Sequence, residues 1–273
     1  MCQNQNHDSN FRIVFPGQLR TYQHSHTHSH DGMDDHEHIH YHEHGIEHDH
    51  DHHHHHHDAR LIEVGKNVIQ SNDIGAARNR GYFEAKEIIS FNLVSSPGSG
   101  KTSLLEKTLS DLKEKANFYV IEGDQQTSND AERIEAVGIP VVQINTGSLC
   151  HLESNMVYEA VKGLNPKANS IVMIENVGNL VCPSAFDLGE NHRVVIISTT
   201  EGDDKPIKYP DMFHRADICI INKTDLLPYV KFNVEKAKEY ARRINPDLVF
   251  FEVSATSGEG MEKWYEWLLL KGK

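Results

Sequence analysis

The sequence is poor in cysteine, in long apolar runs and in positive charge. Its four cysteines lie far apart, at Cys2, Cys150, Cys182 and Cys219, a spacing that predicts no disulfide framework and favours a reducing compartment. No apolar run approaches the about 20 residues that cross a bilayer, and the N-terminus has no signal-peptide core. The formal net charge of −13 argues against a basic face for nucleic acid or for an anionic membrane. We therefore expect a cytoplasmic protein that binds neither nucleic acid nor membrane.

Histidine, by contrast, is abundant and concentrated near the N-terminus. Of the 21 histidines, 17 lie between His24 and His57, interleaved with Ser, Thr, Asp and Glu. Because such a segment has little apolar surface to offset its conformational entropy, residues 1–60 are predicted to form a disordered tail. Imidazoles with interleaved carboxylates suit Ni, Zn, Co or Cu at neutral pH, which predicts loose binding of several ions. An engineered tag and a solvated tail without a duty are the alternatives. The densest ligands form one run: His52, His53, His54, His55, His56 and His57.

Residues 61–273 have the composition and length of one α/β domain. A helical pattern from residue 59 to residue 86 is interrupted by Gly75 and Gly81, which predicts two helices or a broken one. Beyond it, short apolar runs alternate with helical patterns, an order typical of βαβ units and of a mostly parallel sheet flanked by helices. Ligands of such sheets lie at the carboxyl ends of the strands. Strands are predicted at residues 88–94, 117–122, 140–144, 170–174, 193–198, 216–221 and 248–253.

The segment Ser95–Thr102 reads Ser-Ser-Pro-Gly-Ser-Gly-Lys-Thr and stands between a predicted strand and a predicted helix. That order is typical of a P-loop NTPase, in which backbone N–H groups and a helix N-terminus hold the phosphates. Lys101 would reach the β- and γ-phosphates, and the Thr102 hydroxyl would hold magnesium. Ser95 replaces the first glycine of the pattern, and an ordinary Gly-Ser turn is the alternative. The predicted phosphate-binding residues are Gly98, Ser99, Gly100, Lys101, Thr102 and Ser103.

A second nucleotide element, Asn-Lys-Thr-Asp at residues 222–225, follows a predicted strand. An N-K-x-D motif downstream of a P-loop indicates guanine. The carboxylate of Asp225 can accept from the ring N–H and from the exocyclic amine, and adenine lacks both donors there. A surface turn is the alternative. Ser254-Ala255, after the next strand, resembles a further GTPase element whose backbone contacts the base. The predicted residues on the guanine side are Asn222, Lys223, Asp225, Ser254 and Ala255.

Acidic residues at two strand ends are candidates for magnesium. Glu175 begins the segment Glu175–Gly178, which stands where GTPases carry a D-x-x-G element that organises magnesium and senses the γ-phosphate. Asp124 ends another predicted strand and is a candidate to bind magnesium or to position water. Its alternative role is the N-cap of the helix that follows. The predicted catalytic residues are Lys101, Thr102, Asp124 and Glu175.

A second metal site is indicated by cysteine and histidine. Cys150-His151 follows a strand and a turn, and Cys182 lies beyond Glu175–Gly178. Two thiolates and an imidazole suit zinc or nickel. Partly buried cysteines without a ligand are the alternative. Cys219, inside an apolar strand, is predicted to belong to the core.

Together these motifs resemble the HypB family of GTPases, which help insert nickel into [NiFe]-hydrogenase. The resemblance runs from about residue 60 to the end. It implies a homodimer that depends on GTP and magnesium, with Cys150, His151 and Cys182 as a nickel or zinc site at or near the subunit interface. It also implies two partners, a nickel-handling zinc protein and the hydrogenase large subunit. The resemblance rests on residues 95–102 (SSPGSGKT), 123–126 (GDQQ), 146–152 (TGSLCHL), 175–183 (ENVGNLVCP), 204–210 (DKPIKYP) and 222–225 (NKTD).

One feature of the family is missing at the N-terminus. Many members begin Met-Cys-x-x-Cys-Gly-Cys, whereas this chain keeps only Cys2 of those cysteines. Cys2 stays a candidate metal ligand, but tight nickel capture there is not expected. The histidine tract is expected to store or supply nickel instead.

The sequence thus predicts a GTP-hydrolysing nickel metallochaperone that serves a hydrogenase. The nearest rival is the related urease-accessory GTPase, which also carries His-rich tails, and the Cys150-His151-Leu152 context and the N-K-T-D element argue against it. The rival from another class is a metal-storage protein with a vestigial GTPase fold. The intact Lys101-Thr102 pair and residues 222–225 argue against that reading.

Overall fold

The computed structural model describes residues 12–14, 57–125 and 129–272. The strands are β1 (Arg12–Val14), β2 (Ile89–Ser95), β3 (Phe118–Asp124), β4 (Val141–Asn145), β5 (Ile171–Glu175), β6 (His192–Ser198), β7 (Ile218–Asn222) and β8 (Val249–Glu252). They form one sheet in the order β1-β4-β3-β5-β2-β6-β7-β8. All the pairs among β2 to β8 are parallel, and β1 pairs antiparallel with β4 at the edge. Each predicted strand is confirmed to within two residues at either end.

Helices cover both faces of this sheet, which confirms the predicted α/β class with a mostly parallel sheet. The short helices α5 to α7 were not predicted because four or five residues are too few to show a helical period. A 3₁₀ helix follows β7 at Thr224–Tyr229. The α-helices are α1 (His57–Ala85), α2 (Lys101–Leu112), α3 (Asn129–Val137), α4 (Ser154–Leu164), α5 (Cys182–Ala185), α6 (Lys205–Lys208), α7 (Pro210–His214), α8 (Val234–Ile244) and α9 (Met261–Lys271).

The segment predicted as a disordered tail lies largely outside the described residues. One part of it, Arg12–Val14, forms β1, with Arg12 opposite Asn145 and Val14 opposite Gln143. Cys2 and residues 52–56 of the histidine run lie outside the described part of the chain, and for His57 only the backbone at the start of α1 is described. The tail, its boundary at residue 60 and its metal ligands therefore stay predictions.

Helix α1 is continuous, so the prediction of two helices or a broken one is wrong. Gly75 and Gly81 both lie inside it. At Gly75 the absence of a side chain is a packing requirement, because a Cβ there would lie 2.3 Å from Ser154 Oγ. Asn72 and Asn79 of the same helix hydrogen-bond to Ser154, at the start of α4. This packing outweighs the modest cost of glycine in a helix, about 1 kcal/mol.

Burial of helix α2 fixes the position of the P-loop. Leu104, Leu105 and Leu109 recur at helical spacing, are at most 1 % exposed and join the same core cluster as β2. Fully burying such a side chain contributes about 1.5–3 kcal/mol. The helix is thereby held against the sheet with Lys101 and Thr102 in its first turn, beyond the end of β2. Among the described residues, no helix is both long and apolar enough to cross a membrane.

Candidate nucleotide and metal site

The P-loop leaves β2 at Ser95 and enters α2 at Lys101. Gly98 and Gly100 have φ angles of 75° and 88°, a region that glycine occupies without strain. Ser95, which replaces the first glycine of the motif, is the last residue of β2 and is buried. An extended strand residue needs no glycine, so the departure from the pattern leaves the loop intact.

Asn222, at the end of β7, joins the P-loop to the predicted base-binding elements. Its Nδ2 donates to the carbonyl oxygen of Ser99 at 3.0 Å, and its Oδ1 accepts from the Ala255 N–H at 3.2 Å. A Cβ at Gly100 would lie 2.6 Å from the same Nδ2, which explains the second glycine. The Lys223 ammonium group donates to the carbonyl of Gly98 at 2.6 Å. The side-chain amide of Asn222 thus connects the end of β7, the P-loop and the segment that carries Ala255.

The carboxylate of Asp225 has one oxygen that is not satisfied within the described part of the chain. It is half-buried in the 3₁₀ helix after β7, and its Oδ1 is buried with no hydrogen-bond partner among the described residues. A buried polar atom without a partner costs free energy unless a ligand satisfies it. Nearby, Ser254 is fully buried, and its Oγ accepts from the Ser257 N–H at 3.0 Å, which shapes the loop that carries Ala255.

Glu175 contacts both catalytic candidates of the P-loop. Its Oε1 lies 2.7 Å from the Lys101 Nζ and 2.7 Å from the Thr102 Oγ1. Burial would lower the pKa of Lys101, but the Glu175 and Glu122 carboxylates outweigh burial and raise it. Lys101 is therefore held charged. The Oγ of Ser103, which stays a predicted phosphate ligand, accepts a hydrogen bond from Arg133 at 3.2 Å on the exposed side of α2.

Two further acids, Glu122 and Asp130, meet Glu175 in the structure. Ligand atoms of the three residues lie within 4.8 Å of one another. The sheet register causes this, because Glu122 on β3 is directly opposite Glu175 on β5. Burial, and next the Glu175 carboxylate, raise the pKa of Glu122 well above its usual range. One buried oxygen of Glu122 and one of Glu175 have no hydrogen-bond partner among the described residues, so oxygen ligands for magnesium are present.

The sequence did not identify Glu122 and Asp130, and it named Asp124 as the further acid of this site. Asp124 ends β3, and its Oδ1 accepts from the Gln125 N–H at 2.7 Å. It is not a member of the three-carboxylate cluster. Its alternative role as a helix N-cap falls on residues 126–128, which lie outside the described residues. Glu122 gave no signal in the sequence, because it sits inside an apolar strand whose neighbour was unknown.

The raised pKa of Glu122 predicts how stability depends on pH. In the folded state the Glu122 carboxyl keeps its proton above pH 4.5, the usual pKa of the side chain. The free energy of unfolding should therefore fall as the pH rises through the folded-state pKa of Glu122. Glu122→Gln removes the ionisation and should raise the melting temperature of the nucleotide-free protein at pH 8 by roughly 2–4 °C for each kcal/mol regained. The gain should vanish near pH 4.5. The measurement is thermal unfolding between pH 4.5 and 8, with Glu262→Gln, at an exposed position, as the control. If the melting temperatures of the two variants depended on pH in the same way, the prediction for Glu122 would be wrong.

The metal candidates Cys150, His151 and Cys182 also come together. Their ligand atoms lie within 4.8 Å of one another, because the segments after β4 and β5 leave the same edge of the sheet. The structure joins Cys150 to Cys182 as a disulfide with a Cα–Cα distance of 6.3 Å, which corrects the expectation that the cysteines are unpaired. Cys219 is free and buried in β7, as predicted, and burial raises the pKa of its thiol.

His151 faces this pair from a buried position. Its Nδ1 lies 3.9 Å from the Cys150 Sγ. Its Nε2 is buried without a hydrogen-bond partner among the described residues and lies 3.7 Å from a carboxylate oxygen of Glu153. The ring of Phe186 stacks on the imidazole with a centroid distance of 3.8 Å. Once the sulfurs are reduced, two thiolates and a ring nitrogen would face one point, a donor set that suits nickel or zinc.

The fold and this geometry define a P-loop nucleotide-binding protein with a Cys/His cluster near the segment Glu175–Gly178. Comparison with known proteins gives its family. Residues 90–252 match the CobW/HypB/UreG nucleotide-binding domain family. The chain is 55 % identical over 210 residues to the hydrogenase maturation factor HypB of Azotobacter vinelandii, covering 77 % of this chain and 69 % of that protein. The Escherichia coli K12 factor of the same name is 54 % identical over 209 residues, covering 77 % and 72 %.

Solved structures agree with the sequence relatives. The crystal structure of HypB from Archaeoglobus fulgidus matches with a TM-score of 0.70 and 38 % identity, over 75 % of this chain and all of that one. HypB from Helicobacter pylori in complex with nickel matches with a TM-score of 0.69 and 40 % identity, over 74 % of this chain and 95 % of the other. The chain belongs to the HypB family of hydrogenase maturation factors.

Proposed function

We propose that this protein is a GTP-hydrolysing nickel metallochaperone that helps deliver and insert nickel into [NiFe]-hydrogenase. One observation carries the proposal. The segment from Glu175 to Cys182 begins at the carboxylate that contacts Lys101 and Thr102, and it ends at the thiol beside Cys150. A nucleotide site and a metal site therefore share one short piece of chain.

The nucleotide chemistry is that of a P-loop GTPase, with GTP split into GDP and phosphate. Phosphoryl transfer requires positioning and charge stabilisation more than covalent chemistry. Lys101 would leave Glu175 for the β- and γ-phosphates, and the unpartnered oxygen of Asp225 would accept from guanine. Thr102, Glu175, Glu122 and Asp130 would hold magnesium, which neutralises phosphate charge when it is bound. Asp124, at the end of the neighbouring strand, stays a candidate to position water.

Nickel is the cargo in this proposal. Reduced Cys150 and Cys182, with His151, offer soft and borderline ligands for nickel, and zinc is the other ion that this set suits. A relative from H. pylori has been solved in complex with nickel. The histidine tract of residues 24–57, with Cys2, would act as a reservoir. Since metal binding requires reduced thiols, we place the protein in the cytoplasm.

Exchange of GDP for GTP would change the affinity of the metal site. Entry of the γ-phosphate and magnesium would take Lys101 and Thr102 from Glu175, and a shift of Glu175–Gly178 would reach Cys182 through the chain. Two ligands that bias one element are coupled, and the coupling is reciprocal. A homodimer formed with GTP would present the metal site to two partners, a nickel-handling zinc protein and the hydrogenase large subunit.

In one alternative the protein has the same GTPase and nickel chemistry but delivers nickel to a different enzyme. The H. pylori relative, 39 % identical over 214 residues, is named a hydrogenase/urease maturation factor, so delivery to urease is the second candidate. A deletion strain that lost urease activity and kept hydrogenase activity would favour it. The metal-storage alternative, with a vestigial GTPase fold, predicts no phosphate release from GTP and magnesium. The contacts among Lys101, Thr102 and Glu175 count against it.

Loss of one thiol should abolish the metal site. In reduced full-length protein carrying Cys2→Ser, nickel should give thiolate-to-nickel charge-transfer absorption, which histidine ligands alone do not produce. Cys150→Ser or Cys182→Ser should lower the nickel affinity measured from this band at least about 100-fold. Cys219→Ser is the matched control, because this thiol is buried in β7 and apart from the site. Absorption that survives Cys150→Ser and disappears with Cys219→Ser would contradict the assignment.

A further inference from the structure

A chain of buried polar side chains runs beneath the two segments that carry the metal candidates. Asn176 donates from Nδ2 to the Oδ1 of Asn92 at 3.3 Å, and Asn92 donates from Nδ2 to Glu190 Oε1 at 3.0 Å. The same carboxylate oxygen accepts from the Arg193 guanidinium at 2.6 and 2.9 Å. The two asparagines are fully buried, and the Glu190 and Arg193 side chains are each 6 % exposed. We refer to these four residues as the polar chain.

One end of the polar chain holds the segment that carries Cys150 and His151. The Oδ1 of Asn176 accepts from the backbone N–H of Leu152 at 3.1 Å and from that of Val177 at 2.9 Å. Leu152 directly follows His151, and Asn176 directly follows Glu175. A single amide therefore ties the histidine-bearing turn to the residue next to the P-loop carboxylate.

The other end holds the segment that carries Cys182. The Arg193 guanidinium donates to the carbonyl of Phe186 at 2.9 Å and to that of Ser184 at 3.4 Å. Ser184 lies in α5, which begins at Cys182, and the ring of Phe186 stacks on His151. The polar chain thus hydrogen-bonds to both metal-bearing segments. None of its members is itself a candidate metal ligand.

Stability alone does not explain the buried ion pair between Glu190 and Arg193. Taking a carboxylate and a guanidinium out of water is costly, and well-packed apolar residues would often stabilise a fold as much or more. What such a network does provide is fixed geometry, since each donor and acceptor is satisfied in only one arrangement. Partners that orient metal ligands commonly change metal affinity by about 10–100-fold when they are removed.

We infer that Asn176, Asn92, Glu190 and Arg193 are positioning residues of the metal site. They hold the Cys150–His151 turn and the α5 segment in one mutual arrangement and tie that arrangement to Glu175. The inference rests on the proposed metal site and adds to it a second route between nucleotide and metal. The first route follows the chain from Glu175 to Cys182, whereas this one crosses the sheet through β2.

Asn92→Ala is the decisive variant, because Asn92 lies in the middle of β2 and joins the two ends of the polar chain through its hydrogen bonds to Asn176 and Glu190. Reduced full-length protein with the Cys2→Ser background is titrated with nickel at the thiolate band, once with GDP and once with a non-hydrolysable GTP analogue. Nickel affinity should fall about 10-fold or more, and the ratio of the two affinities should move toward one. Arg193→Lys keeps the charge but offers fewer donors, and it should have the same effect if Asn92→Ala does not fold.

Ser170→Ala is the matched control. It removes a buried hydrogen bond, from Ser170 Oγ to the Lys167 carbonyl at 2.7 Å, at the opposite end of β5. It should lower the melting temperature without changing the nickel affinity. If Asn92→Ala and Arg193→Lys both had the nickel affinity of the parent, and the same ratio of affinities with the two nucleotides, the inference would be wrong. The proposed metal site would not be affected by that result. A parent without the thiolate band would overturn the proposed metal site, and the inference with it.

Discussion

Asp225→Asn should lower the affinity for GTP by about 10⁴-fold. The Oδ1 of Asp225 has no hydrogen-bond partner among the described residues, and in the proposed guanine site the carboxylate would accept from the two N–H donors of the base. An asparagine there replaces one acceptor by a donor, so that two donors meet and a buried pair of hydrogen bonds is lost. Sites built on such paired groups discriminate far more strongly than apolar pockets do. Xanthosine triphosphate, which carries an oxygen where guanine carries the amine, should bind the variant better than GTP does.

Equilibrium binding of GTP and xanthosine triphosphate to the parent and to Asp225→Asn measures this change in nucleotide preference. Asp211→Asn is the control, since Asp211 is an exposed acid in α7 that contributes the same change of charge. It should leave both affinities unchanged. If Asp225→Asn bound GTP as the parent does, the assignment of residues 222–225 to guanine would be wrong.

Lys101→Ala should reduce GTP hydrolysis at least about 10³-fold. Removal of one fixed donor to a developing charge costs about 10²–10³ in rate, and Lys101 also forms an ion pair with Glu175 at 2.7 Å. A second effect should appear in the nucleotide-free protein. Glu175 is fully buried, and loss of its charged partner leaves a buried carboxylate without compensation, which costs about 3–5 kcal/mol.

Lys107→Ala separates the two effects of Lys101 from a general change in helix α2. Lys107 pairs with Asp111 on the exposed face of that helix at 2.9 Å, and such surface pairs contribute about 0–1 kcal/mol. This control should hydrolyse GTP at the parent rate and melt near the parent temperature. Phosphate release with magnesium and thermal unfolding are the measurements. A Lys101→Ala protein that hydrolyses GTP at the parent rate would contradict the role of Lys101, whereas a parent protein that releases no phosphate would favour the storage alternative.

Local sequence patterns were sufficient for the strands and for the P-loop. Both depend on neighbours along the chain: an apolar run ends, two glycines allow positive φ, and a lysine opens a helix. Asn222 was predicted as a residue on the guanine side, and the structure shows which groups its side chain binds, the Ser99 carbonyl and the Ala255 N–H.

Contacts between distant segments were beyond the reach of the sequence. Glu122 was not identified, because it meets Glu175 only where β3 lies beside β5. Gly75 was taken as a break in a helix because the sequence does not show that Ser154 packs against it. Cys150 and Cys182 are far apart in sequence, and only the shared edge of the sheet brings them together. The polar chain joins residues from three separate segments and left no local pattern.

The central claim is that nucleotide and metal act on one element between Glu175 and Cys182. The most direct test is nickel affinity at the thiolate band of reduced full-length protein carrying Cys2→Ser, measured with GDP and with a non-hydrolysable GTP analogue. We expect the two affinities to differ by about 5- to 150-fold, the usual range of coupling between two sites. Equal affinities in the two nucleotide states would contradict it.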